Sequence, residues 1–121
     1  MRWRNENCGK KRTLEEVLAF VKSDGNGLQF VEGQTREVCL AAIQQNGYAL
    51  AYVHEQTPEI CMAAVKRTWD AIRLVEDQTF EICVEAIKED VAALYYIRNQ
   101  TPELCMTALE QNPEAIKYFK I

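Results

Sequence analysis

From residue 34 onward, the polar and apolar positions of this chain recur every 22 residues. Gln34, Gln56, Gln78 and Gln100 open each turn of the pattern, and Thr35, Thr57, Thr79 and Thr101 follow them. Then come Glu37, Glu59, Glu81 and Glu103, next Cys39, Cys61, Cys83 and Cys105, and last Ala42, Ala64, Ala86 and Ala108. A looser copy lies upstream: Thr13, Glu15, Val17 and Val21 fall in the same frame, with Val17 in the cysteine slot. Self-similarity at a fixed period is the mark of a repeat architecture. The pattern divides the chain into units 12–33, 34–55, 56–77, 78–99 and 100–121.

Within a unit the spacing predicts two short helices. Threonine is a good N-cap, and Pro58 and Pro102 then occupy the first helical position, where a missing N–H costs nothing. The glutamate one step on favours the positive end of the helix dipole. Ile60, Cys61, Ala64 and Val65 line one helical face. Eleven residues after each threonine stands a second cap: Asp24, Asn46, Thr68, Asp90 or Asn112. Pro113 again follows at a first helical position. The second helix carries Ala49, Leu50 and Val53, with Ala71, Ile72 and Val75 as their counterparts in the next unit. The short period leaves open whether this helix is α or 3₁₀. Helices this short are marginal alone, so each must pack on its partner and on the next unit. The expected fold is all-α: an α-solenoid of about five 22-residue helix-turn-helix repeats. A short basic arm, residues 1–12, precedes the single repeat domain of residues 13–121.

The sequence resembles an uncharacterised bacterial and viral family of short tandem helical repeats, a domain of unknown function. Gln34–Cys39, Gln56–Cys61, Gln78–Cys83 and Gln100–Cys105 carry the resemblance, together with Asn46-Gly47-Tyr48-Ala49-Leu50. It covers residues 34–121 well and 13–33 loosely. Thr68-Trp69-Asp70, Phe80 and Asp90-Val91 depart from the pattern. The resemblance implies tandem helical repeats and brings no catalytic residues.

Charge changes the picture at one end. The chain has 121 residues and a net charge of −4. The arm holds Arg2, Arg4, Lys10, Lys11 and Arg12 against Glu6, a net +4, which leaves −8 for the rest. The arm is either a solvated tail or a segment that touches a polyanion or an acidic face. No apolar run approaches the roughly 20 residues of a membrane helix, and no apolar stretch follows the basic start as in a secretory signal. Five cysteines without such a signal suggest a reducing compartment, so the expected location is cytoplasmic, in the host cytoplasm if the protein is phage-encoded.

Four cysteines in identical settings invite a metal, disulfide or redox reading. Counterparts on neighbouring helices stand about 8–10 Å apart, whereas a disulfide needs Cα atoms within about 7 Å. Four zinc ligands must converge on one point, and a stacked row does not. The only histidine, His54, lies in another phase. Valine replaces the thiol in the first unit, so Cys39, Cys61, Cys83 and Cys105 read as small apolar core groups. Cys8, in the arm, is the thiol most open to reaction. The glutamates read as dipole partners or as an acidic stripe. The glutamines read as a hydrogen-bonded ladder between turns or as ligand readers. Tyr52, Tyr96 and Tyr118 read as packing residues with a polar tip.

Function is expected where the pattern breaks. Trp69 and Phe80 occupy first-turn positions and are candidate anchors for a partner, with Lys66, Arg67 and Arg73 adding local positive charge; Trp69 could instead cover a neighbouring helix end. No nucleophile–base pair, phosphate loop, metal spacing or cofactor motif is present. The expectation is a non-enzymatic protein-binding scaffold, such as a small phage or bacterial regulator or inhibitor. The runner-up is nucleic-acid association through the arm, which the acidic body opposes, or an acidic mimic that blocks a nucleic-acid-binding protein. The end at Tyr118-Phe119-Lys120-Ile121 lacks a polar cap and is a candidate homodimer surface.

Overall fold

A computed structural model of the chain describes residues 6–7, 10–11 and 13–120. Arg2, Arg4, Cys8, Arg12 and Ile121 lie outside the described residues. Strands β1 (Glu6–Asn7) and β2 (Lys10–Lys11) form a short antiparallel pair that joins Glu6 to Lys11 and Asn7 to Lys10. From residue 13 the described chain is all helical. The α-helices are α1 (Leu14–Ser23), α2 (Arg36–Gln45), α3 (Pro58–Arg67), α4 (Phe80–Glu89) and α5 (Pro102–Gln111). A six-residue 3₁₀ helix follows each: η1 (Gly25–Phe30), η2 (Gly47–Tyr52), η3 (Trp69–Leu74), η4 (Val91–Tyr96) and η5 (Pro113–Tyr118).

Caps set these boundaries. The hydroxyls of Thr13, Thr35, Thr57, Thr79 and Thr101 each accept from the amide three residues on. In α1 the Glu16 carboxylate returns the bond to the Thr13 amide at 2.9 Å, completing a capping box. At the other end one residue does two jobs. Asn46 closes α2 through its amide, which donates to Ala42 O, and its own carbonyl starts η2 by accepting from Ala49. Its side chain caps Tyr48 N. Asp24, Asp90 and Asn112 do the same. Thr68 breaks the expected set, because its side chain makes no cap bond. It lies against the preceding segment instead, where a Cβ on Gly47 would come within 2.6 Å of Thr68 Oγ1.

In the 3₁₀ form the side chains sort by ridge. A 3₁₀ helix has three residues per turn, so positions 1/4, 2/5 and 3/6 form three ridges. In η2, Gly47/Leu50 and Ala49/Tyr52 are apolar and face inward, whereas Tyr48/Ala51 are exposed.

Each α-helix packs on its α neighbours, on its own 3₁₀ helix and on the preceding one, and each 3₁₀ helix packs on the next. Among the described residues no contact between elements skips a segment. Leu28, Ile43, Leu50, Ile72, Ile87, Leu94 and Ile97 are the largest fully buried side chains. Burying each contributes about 1.5–3 kcal/mol.

The glutamines fasten the 3₁₀ layer. Gln56 Nε2 donates to Leu74 O at 3.0 Å, and its Oε1 accepts from Glu76 N at 2.9 Å. Gln34, Gln78 and Gln100 grip the equivalent Tyr52–His54, Tyr96–Arg98 and Tyr118–Lys120 groups. These three also donate back to Leu28, Ile72 and Leu94 of the preceding 3₁₀ helix. One amide side chain thus joins two successive 3₁₀ ends whose backbone groups have no ladder of their own.

Candidate functional site

The thiols belong to the interior. Cys39, Cys61 and Cys83 are buried, and Cys105 is half-buried on α5, which has an α neighbour on one side only. Cys105 thus departs from the core position that the repeat pattern implies for all four thiols. All four are free cysteines. Burial, with Glu76 and Asp77 adding repulsion, pushes the Cys61 thiol up to about 11. Burial likewise raises Cys83 to about 11 against an opposing effect of Arg98, and it raises Cys39. These are neutral thiols at pH 7, the opposite of an activated nucleophile. Cys39 shares a 330 Å³ cavity with His54, but its Sγ points to Gln34 Oε1 at 3.6 Å. Among the described residues no group of three or more His, Cys, Asp and Glu side chains could hold a metal ion. Nor is any helix there long and apolar enough to cross a membrane.

The candidate partner-contacting residues Trp69, Phe80, Arg67 and Arg73 divide between different surfaces. Phe80 is the first residue of α4 and is 44% exposed. Arg67 ends α3, at the other end of the α layer, where its Nε donates to Gln44 O at 2.9 Å. It therefore satisfies an end carbonyl of α2, a structural duty the sequence did not reveal. Gln111 does likewise on α4, donating to Ile87 O at 2.5 Å. Trp69 is half-buried and packs against the core, with its ring 6.3 Å from that of Tyr96. It covers the neighbouring 3₁₀ helix rather than standing free.

Arg73 is exposed and helps form a cluster across two segments. Tyr48 OH donates to Asp70 Oδ1 at 2.7 Å, and the Arg73 guanidinium lies over the Tyr48 ring, 5.6 Å from its centre. The bond to Asp70 raises the Tyr48 phenol above its ordinary value, against an opposing effect of Arg73. Tyr48, Asp70 and Arg73 all belong to the outward 2/5 ridge. Tyr95 on the same ridge is 59% exposed and carries Lys120 over its ring at 5.8 Å. Nothing in the 22-residue repeat itself singles out Tyr48 and Tyr95. Their signal was a period of three inside each 3₁₀ segment.

A second open region lies on the α layer. A 440 Å³ cavity there is lined by Gln44, Glu59, Met62, Ala63, Lys66 and Arg67. Glu59 on its rim pairs with Arg36 at 2.5 Å, which lowers the carboxyl below its ordinary value. Lys10 and Lys11 of the basic arm fall in β2.

The model of a family described as a domain of unknown function (DUF4116) matches residues 35–80, from the N-cap of α2 to the first residue of α4. Over those residues the chain is similar to an uncharacterised family. Neither a curated protein nor a solved structure matches it.

Proposed function

We propose that the chain is an α-solenoid of five 22-residue units that works as a non-enzymatic protein-binding scaffold in the cytoplasm. In this reading it is a small regulator or inhibitor of a protein target. Packing between sequence neighbours alone supports the solenoid. The outward 3₁₀ ridge carries the functional reading. Segments η1 to η4 use the same positions for packing and turn two more outward, which are exposed or half-buried and differ from one segment to the next. Tyr48/Ala51 gives way to Asp70/Arg73, then to Ala92/Tyr95. A fixed frame that displays tyrosines beside cations offers the residue types that dominate protein interfaces.

The test is affinity capture from the native host with wild type beside an Arg73→Glu, Phe80→Ala variant. Trp69 is left intact because it packs on the core. Loss of a protein partner with the variant supports the reading. Equal recovery by both proteins, or recovery of nucleic acid alone, removes it.

A second proposal, self-association, has its own observation. Leu28, Leu50, Ile72 and Leu94 are 0% exposed, whereas Ile116 in the same position of η5 is 62% exposed. At the other end, α1 carries exposed Glu16 where later helices bury Val38, Ile60, Ile82 and Leu104. The exposed apolar position on η5 is what would pair with its copy in a second chain. Light scattering should show a dimer that Ile116→Glu disperses; a strict monomer at high concentration rules it out.

A further inference from the structure

Along each α-helix, positions 2, 5 and 9 share one face, because steps of three and four residues return to the same side. In α3 these positions hold Glu59, Met62 and Lys66, and in α4 they hold Glu81, Val84 and Lys88. The glutamates and lysines are exposed, while Met62 and Val84 are half-buried. Side by side, α3 and α4 make three bands, an acidic rim, an apolar floor and a basic rim; in α2 the matching positions hold Glu37, Leu40 and Gln44, and Arg36 of α2 pairs with Glu59. The 440 Å³ cavity opens on this floor beside Met62. The floor continues into α2 through half-buried Leu40.

We propose that this banded surface is a docking groove for one amphipathic α-helix of a partner protein, laid across α2, α3 and α4. The proposal rests on the scaffold reading and names the partner's chemistry. Three dimensions agree. Seven residues separate Glu59 from Lys66, about 10.5 Å along the helix, close to the roughly 10–12 Å width of a helix with its side chains. The floor residues recur from one helix to the next, about 8–10 Å apart. A helix lying across them advances about 10.5 Å in seven residues, so one apolar residue per heptad meets one floor position per segment. The partner therefore carries apolar residues every seventh position, basic residues on the flank toward the glutamates and acidic residues on the flank toward the lysines. Met62 at the cavity suits such a contact because its flexible thioether adapts to the incoming side chain.

The probe is a synthetic three-heptad helix with leucine at every seventh residue, lysine along one flank, glutamate along the other and alanine elsewhere. Binding to the full chain is read by fluorescence anisotropy at two salt concentrations. The expected result is salt-sensitive binding that falls at least tenfold with Met62→Asp and several-fold with Lys66→Glu, Lys88→Glu. A peptide with serine in place of leucine should not bind, whatever the folding state of the variants. Absence of binding to wild type overturns the proposal. So does equal binding of a peptide whose flank charges are mixed, or preference for a proline-containing peptide with leucine at every third residue. If the helix fails here while Arg73→Glu, Phe80→Ala still abolishes partner capture, the scaffold reading stands and the groove alone falls.

Discussion

The cysteine row and the outward 3₁₀ ridge share one 22-residue spacing and meet opposite fates. At the row, Cys39, Cys61 and Cys83 are the same residue in the same buried setting. At the ridge, Tyr48, Asp70 and Ala92 occupy one position and share no chemistry. Burial explains the difference. A row position must fit between close-packed helices, where even one methylene is felt. A ridge position is exposed or only half-buried and is free to vary. At buried positions identity therefore marks the frame, while the ridge is free to differ from one segment to the next.

The largest effect expected from this contrast is alkaline. Cys61 and Cys83 have folded values of about 11 against an ordinary 9.0. Below pH 9 both states keep their protons and the contribution is fully present. Between pH 9 and 11 only the unfolded chain ionises, so stability falls by at most about 1.4 kcal/mol per pH unit for each thiol, or up to about 5 kcal/mol together. Urea unfolding across that window should show the loss, and a variant with valine at both positions should lose that part of the slope. An equal slope in both proteins would mean that the row is not the buried element described.

Next in size is the frame's closest approach. Gly47→Val sets a Cβ within 2.6 Å of Thr68 Oγ1 and 3.1 Å of the Ala64 carbonyl. Overpacking of this kind costs about 1–3 kcal/mol, read as a lower urea midpoint with unchanged slope. Gln56→Ala should cost about 1–2 kcal/mol, because it strands Leu74 O and Glu76 N. Hydrogen exchange would localise the damage: Glu76 N–H should become fast while Arg98 N–H, held by Gln78, stays slow. The ridge closes the series. Arg73→Glu should change stability by no more than about 0.5 kcal/mol, and an unfolding midpoint well outside that range would give Arg73 a place in the frame.

Much of the frame was legible in the sequence because its signals are local. The threonine caps, first-turn prolines and apolar helical faces each act within a few residues. The 3₁₀ form of the second helix was not, since six residues with apolar positions at 1, 3, 4 and 6 suit either helix until packing chooses. The glutamine ladder stood beside a ligand-reading alternative because its partners lie 18 and 20 residues away, across a turn. Arg67 and Trp69 broke the pattern visibly, yet only geometry shows that one satisfies the Gln44 carbonyl and the other leans on Tyr96. The apolar floor has a sequence signal of its own: Leu18, Leu40, Met62, Val84 and Met106 are also 22 apart.

One measurement bears most directly on the claim that the frame is constant and the surface functional. Partner capture is compared for two variants with matched folding. In one, Cys39, Cys61, Cys83 and Cys105 become valine, the residue Val17 already supplies in that slot. In the other, Arg73 and Lys66 become glutamate. The account predicts that the thiol-free protein keeps its partner and the charge-reversed protein loses it. The reverse outcome, with the partner lost along with the thiols and retained by the altered surface, would contradict it.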